Sequence, residues 1–92
     1  MTLDQLRIFV AVAEREHVTR AAKALNLTQS AVSATVSTLE ERHGVRLFHR
    51  VGRGIELTET GRAFLVDARE VLARAEEARR MLDDEAGLKR GH

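Results

Sequence analysis

The chain has 92 residues, enough for one small domain, and its 43% apolar content is typical of a folded protein. The absence of cysteine excludes disulfides and thiolate zinc sites, and the longest apolar run, 8–13, is too short to span a bilayer. With a net charge of only +1 and no apparent signal peptide after Met1, the sequence predicts a cytoplasmic protein without bulk basic character.

Two amphipathic helices are predicted at the start of the chain. The first begins after Thr2, a good N-cap, and ends near Glu16, because its apolar residues recur at helical spacing. Those residues are Leu3, Leu6, Phe9, Val10 and Ala13. The second helix is shorter and ends where Asn26 and Leu27 interrupt the pattern. Its apolar residues are Val18, Ala21, Ala22 and Leu25.

A third helix is predicted between Thr28, a second N-cap, and Gly44, a typical residue just past a helix end. Val32, Val36 and Leu39 form its buried stripe. About three residues separate this helix from the second one, which is short and carries two adjacent small residues, so the two helices can cross steeply at close range. The sequence therefore predicts a helix-turn-helix pair.

The next segment changes from helical to strand periodicity. Residues 45–50 form a β-prone run, residues 51–54 have the composition of a turn, and Ile55–Leu57 alternates apolar and polar side chains. Arg53, which lies between two glycines, is expected at the tip of this small hairpin. Residues 42–53 hold four arginines and two histidines with no acid, so the hairpin and its approach are basic.

The last predicted element is a long helix that Thr58 caps and that has no breaker before Gly87, a length of about 28 residues or ~42 Å. Six apolar positions recur in it at spacings of four and three, which is typical of a heptad seam. They are Phe64, Ala68, Val71, Ala75, Ala78 and Leu82. The preceding body of the protein is too small to cover the whole seam, so we expect a homodimer through this helix.

The outer face of the third helix has an unusual composition, because no residue between Ala24 and Leu39 is charged. The side chains expected to point outward are Gln29, Ser30, Ser33, Ala34 and Ser37. Short hydroxyls, a methyl group and an amide allow close approach and can read base edges in a major groove. The same face could instead cover a partner protein or face water.

The basic hairpin favours the nucleic-acid interpretation of that face. A long cation on a thin turn, such as Arg53, fits a minor groove, whose negative potential attracts arginine. Arg46 and Arg50 lie on the approach and could hold phosphates. A Gly-Arg-Gly turn by itself is usually a solvated loop, but here it follows a helix-turn-helix with an uncharged outer face.

The order of these elements resembles the N-terminal DNA-binding domain of LysR-type transcriptional regulators. The matching stretches are Leu6–Phe9, Ala21–Leu25, Leu27–Ser33, Leu39–Glu40, Gly44–Arg50, Arg53–Gly54 and Leu57–Thr58 with Gly61. The resemblance covers residues 2 to 87 without a gap. It implies a mainly α fold, a winged helix-turn-helix of three helices and a two-stranded wing, followed by a long linker helix that joins two copies in antiparallel fashion.

The resemblance also implies roles for individual residues. Base contacts are assigned to Gln29, Ser30, Ser33 and Ala34, and wing or backbone contacts to Thr28, Ser37, Arg46, Arg50 and Arg53. Three positions depart from the family pattern, which often has Pro at 30, Arg at 34 and a Ser N-cap at 17. Without an arginine at 34, specificity is expected to depend more on hydroxyls, water and DNA shape.

The predicted organisation is a DNA-binding domain over residues 1–57, a linker and dimerisation helix over 58–87, and a flexible tail over 88–92. Family members continue into an effector-binding domain, so we interpret this chain as a DNA-binding fragment that needs no cofactor itself. A small-molecule effector would bind the missing domain. The expected partner is double-stranded DNA carrying an interrupted inverted repeat, and no membrane is involved.

An enzyme is not predicted. His17, His43, His49 and His92 show no metal-ligand spacing, and the pair Glu40–Glu41 is interpreted as a solvated surface pair. A helical dimerisation or adaptor module without DNA binding remains the alternative, since the heptad seam alone would support it. The two functions differ in salt dependence, because a DNA-binding protein loses affinity steeply as salt rises.

Overall fold

The computed structural model describes residues 1–89, and within them it confirms a mainly helical fold with a two-stranded wing. The elements in chain order are α1 (Leu3–Arg15), α2 (Val18–Leu25), α3 (Gln29–His43), β1 (Phe48–Val51), β2 (Gly54–Leu57) and α4 (Glu59–Lys89). Residues 88 and 89, predicted as part of a flexible tail, continue α4, and residues 90–92 of that tail lie outside the described residues.

The predicted caps fix the helix ends. Thr2 Oγ1 accepts a hydrogen bond from the Gln5 amide at 3.1 Å, and Gln5 Oε1 accepts one from the Thr2 amide at 3.0 Å, which makes a reciprocal capping box. Thr28 Oγ1 accepts from the Ala31 amide at 3.1 Å to begin α3. Gly44 ends α3 in the left-handed conformation, with φ +62°.

The core forms where α1 meets the other elements, and Phe9 lies at its centre. The Phe9 ring is fully buried and its centroid lies 5.6 Å from that of Phe48 in β1 and 4.7 Å from that of Phe64 in α4. The small buried residues Ala21 and Ala22 let α2 pack against both α1 and α3. Most of the apolar residues predicted for α1 and α2 therefore belong to the core or pack against it, but Leu3 is exposed. Ala11 and Val12 are buried in the core and were not part of the predicted face.

The wing is the antiparallel hairpin of β1 and β2 together with its turn at residues 52–53. Phe48 pairs with Leu57 at its base and Val51 with Gly54 at its end. Gly52 has φ +58°, whereas Arg53 has no positive φ, a combination that matches a type II′ turn. Strand β1 begins at Phe48, so the first three residues of the predicted β-prone run 45–50 precede the ladder and only 48–50 belong to it.

The first turn of α4 packs tightly against the base of the wing. Thr58 Oγ1 accepts from the Gly61 amide at 2.9 Å, as predicted for a cap, and donates to the Arg46 carbonyl at 2.6 Å. A Cβ atom on Gly61 would lie 2.2 Å from the Leu47 carbonyl oxygen, so only glycine fits there.

The far end of α4 differs from the prediction. The helix continues through Gly87 to Lys89, because one glycine inside a helix costs only about 1 kcal/mol relative to alanine and keeps its backbone donor. The chain is accordingly elongated, with principal extents of 58 × 24 × 19 Å.

Candidate nucleic-acid interface

The outer face of α3 presents the uncharged side chains that the sequence predicted there. Gln29, Ser30, Ala34 and Ser37 are exposed, and Ser33 is half-buried on the side nearest the wing. Thr28 is exposed, and its hydroxyl oxygen is engaged in capping α3. The helix therefore offers a smooth face of short polar and methyl groups to an approaching surface.

Three arginines lie on or next to the wing: Arg50 and Arg53 within it, and Arg46 two residues before β1. Arg46, Arg50 and Arg53 are all exposed, and within residues 1–89 none of the three pairs with a carboxylate. The wing has one cross-strand charge contact, His49 Nε2 to Glu56 Oε1 at 3.5 Å. The three guanidinium groups are consequently available to an anionic partner.

The predicted wing and α3 residues meet at two adjoining clefts. The first cleft has Gln29 and Ser33 of α3 on one side and Arg50 and Arg53 of the wing on the other. The second is lined by Ser33, Ser37, Arg46 and Arg50, among others. Thr28, Ser30 and Ala34 line neither cleft, and Ser30 and Ala34 lie on the exposed face of α3. Hydrogen-bonding groups and cations thus share one side of the molecule.

His17 is a residue of this surface that the sequence prediction did not assign to it. It lines the first cleft and also caps α2, because its Nδ1 atom accepts a hydrogen bond from the Arg20 amide at 3.0 Å. An imidazole nitrogen that accepts carries no proton, so neutral His17 has its N–H at Nε2. The imidazole therefore takes the place of the Ser N-cap that is common in the family the sequence resembles, and α2 begins at Val18.

Glu40 is the second residue whose interpretation changes. The sequence predicts a solvated side chain, but the Glu40 Oε2 atom accepts hydrogen bonds from the Leu47 amide at 2.8 Å and the Phe48 amide at 3.3 Å. An acid near the C-terminal end of a helix is unfavourable to the helix dipole, and this was the available sign of another role. Glu41, its neighbour, is exposed and has no hydrogen bond or ion pair in the described part of the chain.

The seam predicted along α4 divides into two parts. Ala68 is 1% exposed and Phe64 packs on Phe9, so these two residues belong to the core of their own domain. Farther along, Val71 and Leu82 are 46% and 65% exposed, Ala78 is exposed and Ala75 is half-buried. The part of the predicted seam that its own domain leaves wholly or partly uncovered therefore runs from Val71 to Leu82.

The same stretch of α4 carries a network of ion pairs around Glu76. Arg79 Nη2 lies 2.5 Å from Glu76 Oε1, Arg80 Nε lies 3.7 Å from the same oxygen, and Arg79 also pairs with Asp83. The hydrogen bond from Arg79 is the main cause that lowers the pKa of the Glu76 carboxyl below its ordinary value, and the charges of Arg79, Arg80 and Arg7 add to it.

Residues 1–89 contain no group of His, Asp or Glu side chains placed to hold a metal ion. None of the helices described combines the length and the apolar character needed to cross a membrane.

Comparison with known proteins shows what this chain is similar to. The family model described as "Bacterial regulatory helix-turn-helix protein, lysR family" matches residues 3–62. The chain is 48% identical over 91 residues to the HTH-type transcriptional regulator BudR of Klebsiella aerogenes, covering 99% of this chain and 62% of the relative. It is 45% identical over 84 residues to an uncharacterized HTH-type transcriptional regulator of Azotobacter vinelandii, covering 91% and 58% respectively. The chain thus spans about three fifths of these two relatives.

Solved structures show the same likeness. The crystal structure of the CbnR_DBD–DNA complex has a TM-score of 0.86 at 41% identity, covering 94% of this chain and 99% of that one. The BenM_DBD/catB site 1 DNA complex has a TM-score of 0.85 at 33% identity, covering 100% and 99%. These proteins give no support to a helical adaptor that does not bind DNA.

Proposed function

The chain belongs to the lysR family of bacterial regulatory helix-turn-helix proteins, and on that basis we propose that it binds double-stranded DNA sequence-specifically and regulates transcription. One observation carries the proposal: uncharged side chains of the outer α3 face line the same clefts as three arginines that pair with no carboxylate within residues 1–89. The uncharged residues are Gln29, Ser33 and Ser37, and the arginines are Arg46, Arg50 and Arg53. An enzyme needs a reactive constellation, whereas this surface offers donors, acceptors and cations suited to a nucleic acid. Its structural similarity to CbnR_DBD and BenM_DBD, both solved in DNA complexes, supports this function.

In this proposal α3 is the recognition helix and lies in the major groove. Gln29, Ser30, Ser33 and Ala34 contact base edges, where an amide pairs with adenine and the Ala34 methyl contacts the thymine methyl. Thr28 and Ser37 contact the DNA backbone beside these bases. Because these side chains are short, the helix backbone comes close to the bases, and water and DNA shape contribute to specificity.

The wing lies on the adjoining minor groove. Arg53, at the tip of the two-residue turn, enters the groove, and Arg46 and Arg50 neutralise phosphates on the way to it. Phosphate contacts of this kind set the register of the protein on DNA, whereas the recognition helix selects the sequence. Binding should therefore weaken steeply as salt rises, since each neutralised phosphate releases counterions.

Two copies join through α4 in the proposed assembly. Antiparallel contact along Val71–Leu82 holds two recognition helices over successive major grooves, ~34–36 Å apart, on an interrupted inverted repeat. The protein works in the cytoplasm, where bacterial duplex DNA is found. This chain itself needs no cofactor, and a small-molecule effector would bind outside residues 1–89, in a domain joined to the far end of α4.

The test is selection from a random duplex pool at ~150 mM salt, where purely electrostatic binding is suppressed. We expect enrichment of two inverted half-sites whose centres are about one helical turn apart. Recovery of no motif by a chain shown to be folded and dimeric would contradict the proposed function.

A further inference from the structure

Three apolar side chains attach the wing to the rest of the domain: Phe48 and Leu57 at its base, and Ile55, which is half-buried against the core. Phe48 and Leu57, the pair at its base, are buried, whereas His49, Arg50, Val51 and Glu56 beyond them are exposed. An isolated two-stranded hairpin has marginal stability in water. The direction in which the wing points therefore depends on what holds its base.

Two carboxylates hold that base from different helices. Glu40 of α3 accepts from the Leu47 and Phe48 amides, at 2.8 and 3.3 Å. Glu16, which follows α1, accepts from the Leu57 amide at 3.2 Å. Hydrogen bonds in which the acceptor is ionised are the stronger kind. Glu40 makes them to residues 7 and 8 positions further along the chain, and Glu16 makes one to a residue 41 positions away.

The geometry of the hairpin places these carboxylates on opposite edges. Phe48 and Leu57 face each other, and both amides donate to carboxylates instead of across the ladder. In an antiparallel pair of this type, the two amides point outward from opposite sides of the ribbon. The hairpin is therefore held at both edges. Next to the Phe48–Leu57 pair, the Thr58 amide donates to the Leu47 carbonyl at 3.0 Å and adds one more hydrogen bond at the base of the ladder.

Glu16 also adopts a backbone conformation that is costly for its residue type. Its φ of 49° lies in the left-handed region, where non-glycine residues other than Asn and Asp are uncommon. Such strain persists where the surrounding structure enforces it, and it often marks a functional position. Here the left-handed backbone of Glu16 connects the end of α1 to His17, the cap of α2. The Glu16 carboxylate is directed to the Leu57 amide of β2.

We propose that Glu40 and Glu16 are positioning residues that hold the wing at a fixed offset from the recognition helix. Glu40 lies on the same helix as Ser33 and Ser37, so its two hydrogen bonds set the position of the start of β1 relative to the outer face of α3. Glu16 fixes β2 relative to the start of α2. Together they determine whether Arg53 reaches the minor groove when α3 occupies the major groove, and in this respect the inference rests on the proposed function.

The first test needs no DNA. Amide hydrogen exchange, followed by NMR, should accelerate at Leu47 and Phe48 in Glu40→Ala and at Leu57 in Glu16→Ala, by about tenfold for each charge-assisted bond lost. Glu40→Gln keeps an acceptor oxygen and should keep the protection. Glu41→Ala removes the same charge from the next residue of α3 and should leave all three amides unchanged. Unaltered exchange in the two alanine variants would overturn the inference.

The second test measures DNA affinity in a double-mutant cycle with Arg53→Ala, on the duplex recovered by selection. Glu40→Ala and Glu16→Ala should each weaken binding about fivefold when Arg53 is present and less than about twofold when it is absent, because both act through the wing. Glu40→Gln should bind as tightly as the unaltered chain, or more tightly, since it removes a negative charge near phosphates. Equal losses with and without Arg53 would show a general structural role and overturn the inference.

The two proposals fail in different ways. If the unaltered chain selects no DNA motif, the proposed function is wrong, whatever the exchange data show. If the unaltered chain selects a motif and Arg53→Ala weakens binding to it, but the carboxylate variants do not behave as expected, the positioning role alone is wrong.

Discussion

At the scale of single residues, His17 shows how a side chain can be exchanged while its hydrogen bond is kept. Its Nδ1 atom accepts from the Arg20 amide at 3.0 Å, as a serine hydroxyl would. His17→Ala should lower the free energy of unfolding by about 1 kcal/mol, the usual cost of losing an N-cap, and His17→Ser should restore it. Urea denaturation measures both. Equal stability of the alanine and serine variants would mean that the cap contributes nothing.

Ala34 gives the most direct test of the base contacts proposed for α3, because it is exposed and a larger side chain fits at its position. Ala34→Arg should create a preference for guanine at one position of the half-site, worth about 1–3 kcal/mol, since arginine pairs in bidentate fashion with guanine. Selection with the variant reveals the new base. Thr38→Arg adds the same charge to the same helix outside the predicted base contacts and should raise affinity without changing the motif. A shared motif for both variants would place Ala34 away from the bases.

At the scale of elements, the outer half of α4 relies on side-chain pairs because little of it packs on the domain. The pKa of Glu76 is lowered by Arg79, so its ionised form stabilises the helix above the ordinary pKa of 4.5 and that stabilisation is lost as pH falls below it. Glu76→Gln should therefore reduce the helicity of residues 76–83 at neutral pH and flatten its acid dependence, as read from NMR chemical shifts. Glu70→Gln, at an exposed carboxylate without an ion pair in the described region, should change neither.

The elements also show what could and could not be predicted. Thr2, Thr28, Thr58 and Gly44 act locally, so their capping roles follow from a few neighbouring residues, and the helix starts were predicted correctly. The contacts from Glu40 to Leu47 and from Glu16 to Leu57 join segments 7 and 41 residues apart, and no local pattern encodes them. Gly61 likewise matched the family pattern, but its closeness to the Leu47 carbonyl depends on how α4 meets the wing.

The same reason explains the division of the α4 seam. A heptad spacing indicates which face is apolar, but it cannot tell a partner's surface from the protein's own core. Phe64 and Ala68 are covered by their own domain, whereas the positions beyond them are not. The number of seam residues that remain for a second copy could be known only once the packing of α1 on α4 was established.

At the scale of the whole molecule, the proposed dimer makes the spacing of its two DNA-binding surfaces depend on that remaining stretch of α4. Ala78 is exposed in one chain, so Ala78→Glu should leave each protomer folded while burying a charge in the joint between two copies, at a cost of about 3 kcal/mol or more. Sedimentation velocity should show a monomer for Ala78→Glu and a dimer for the unaltered chain. Ala73→Glu, on the same helix but outside the seam, should remain dimeric. On a duplex with two half-sites, Ala78→Glu should bind as two independent monomers and lose the dependence on half-site spacing, because nothing then fixes the distance between the recognition helices. A dimer that persists in Ala78→Glu would place the joint on another face of α4.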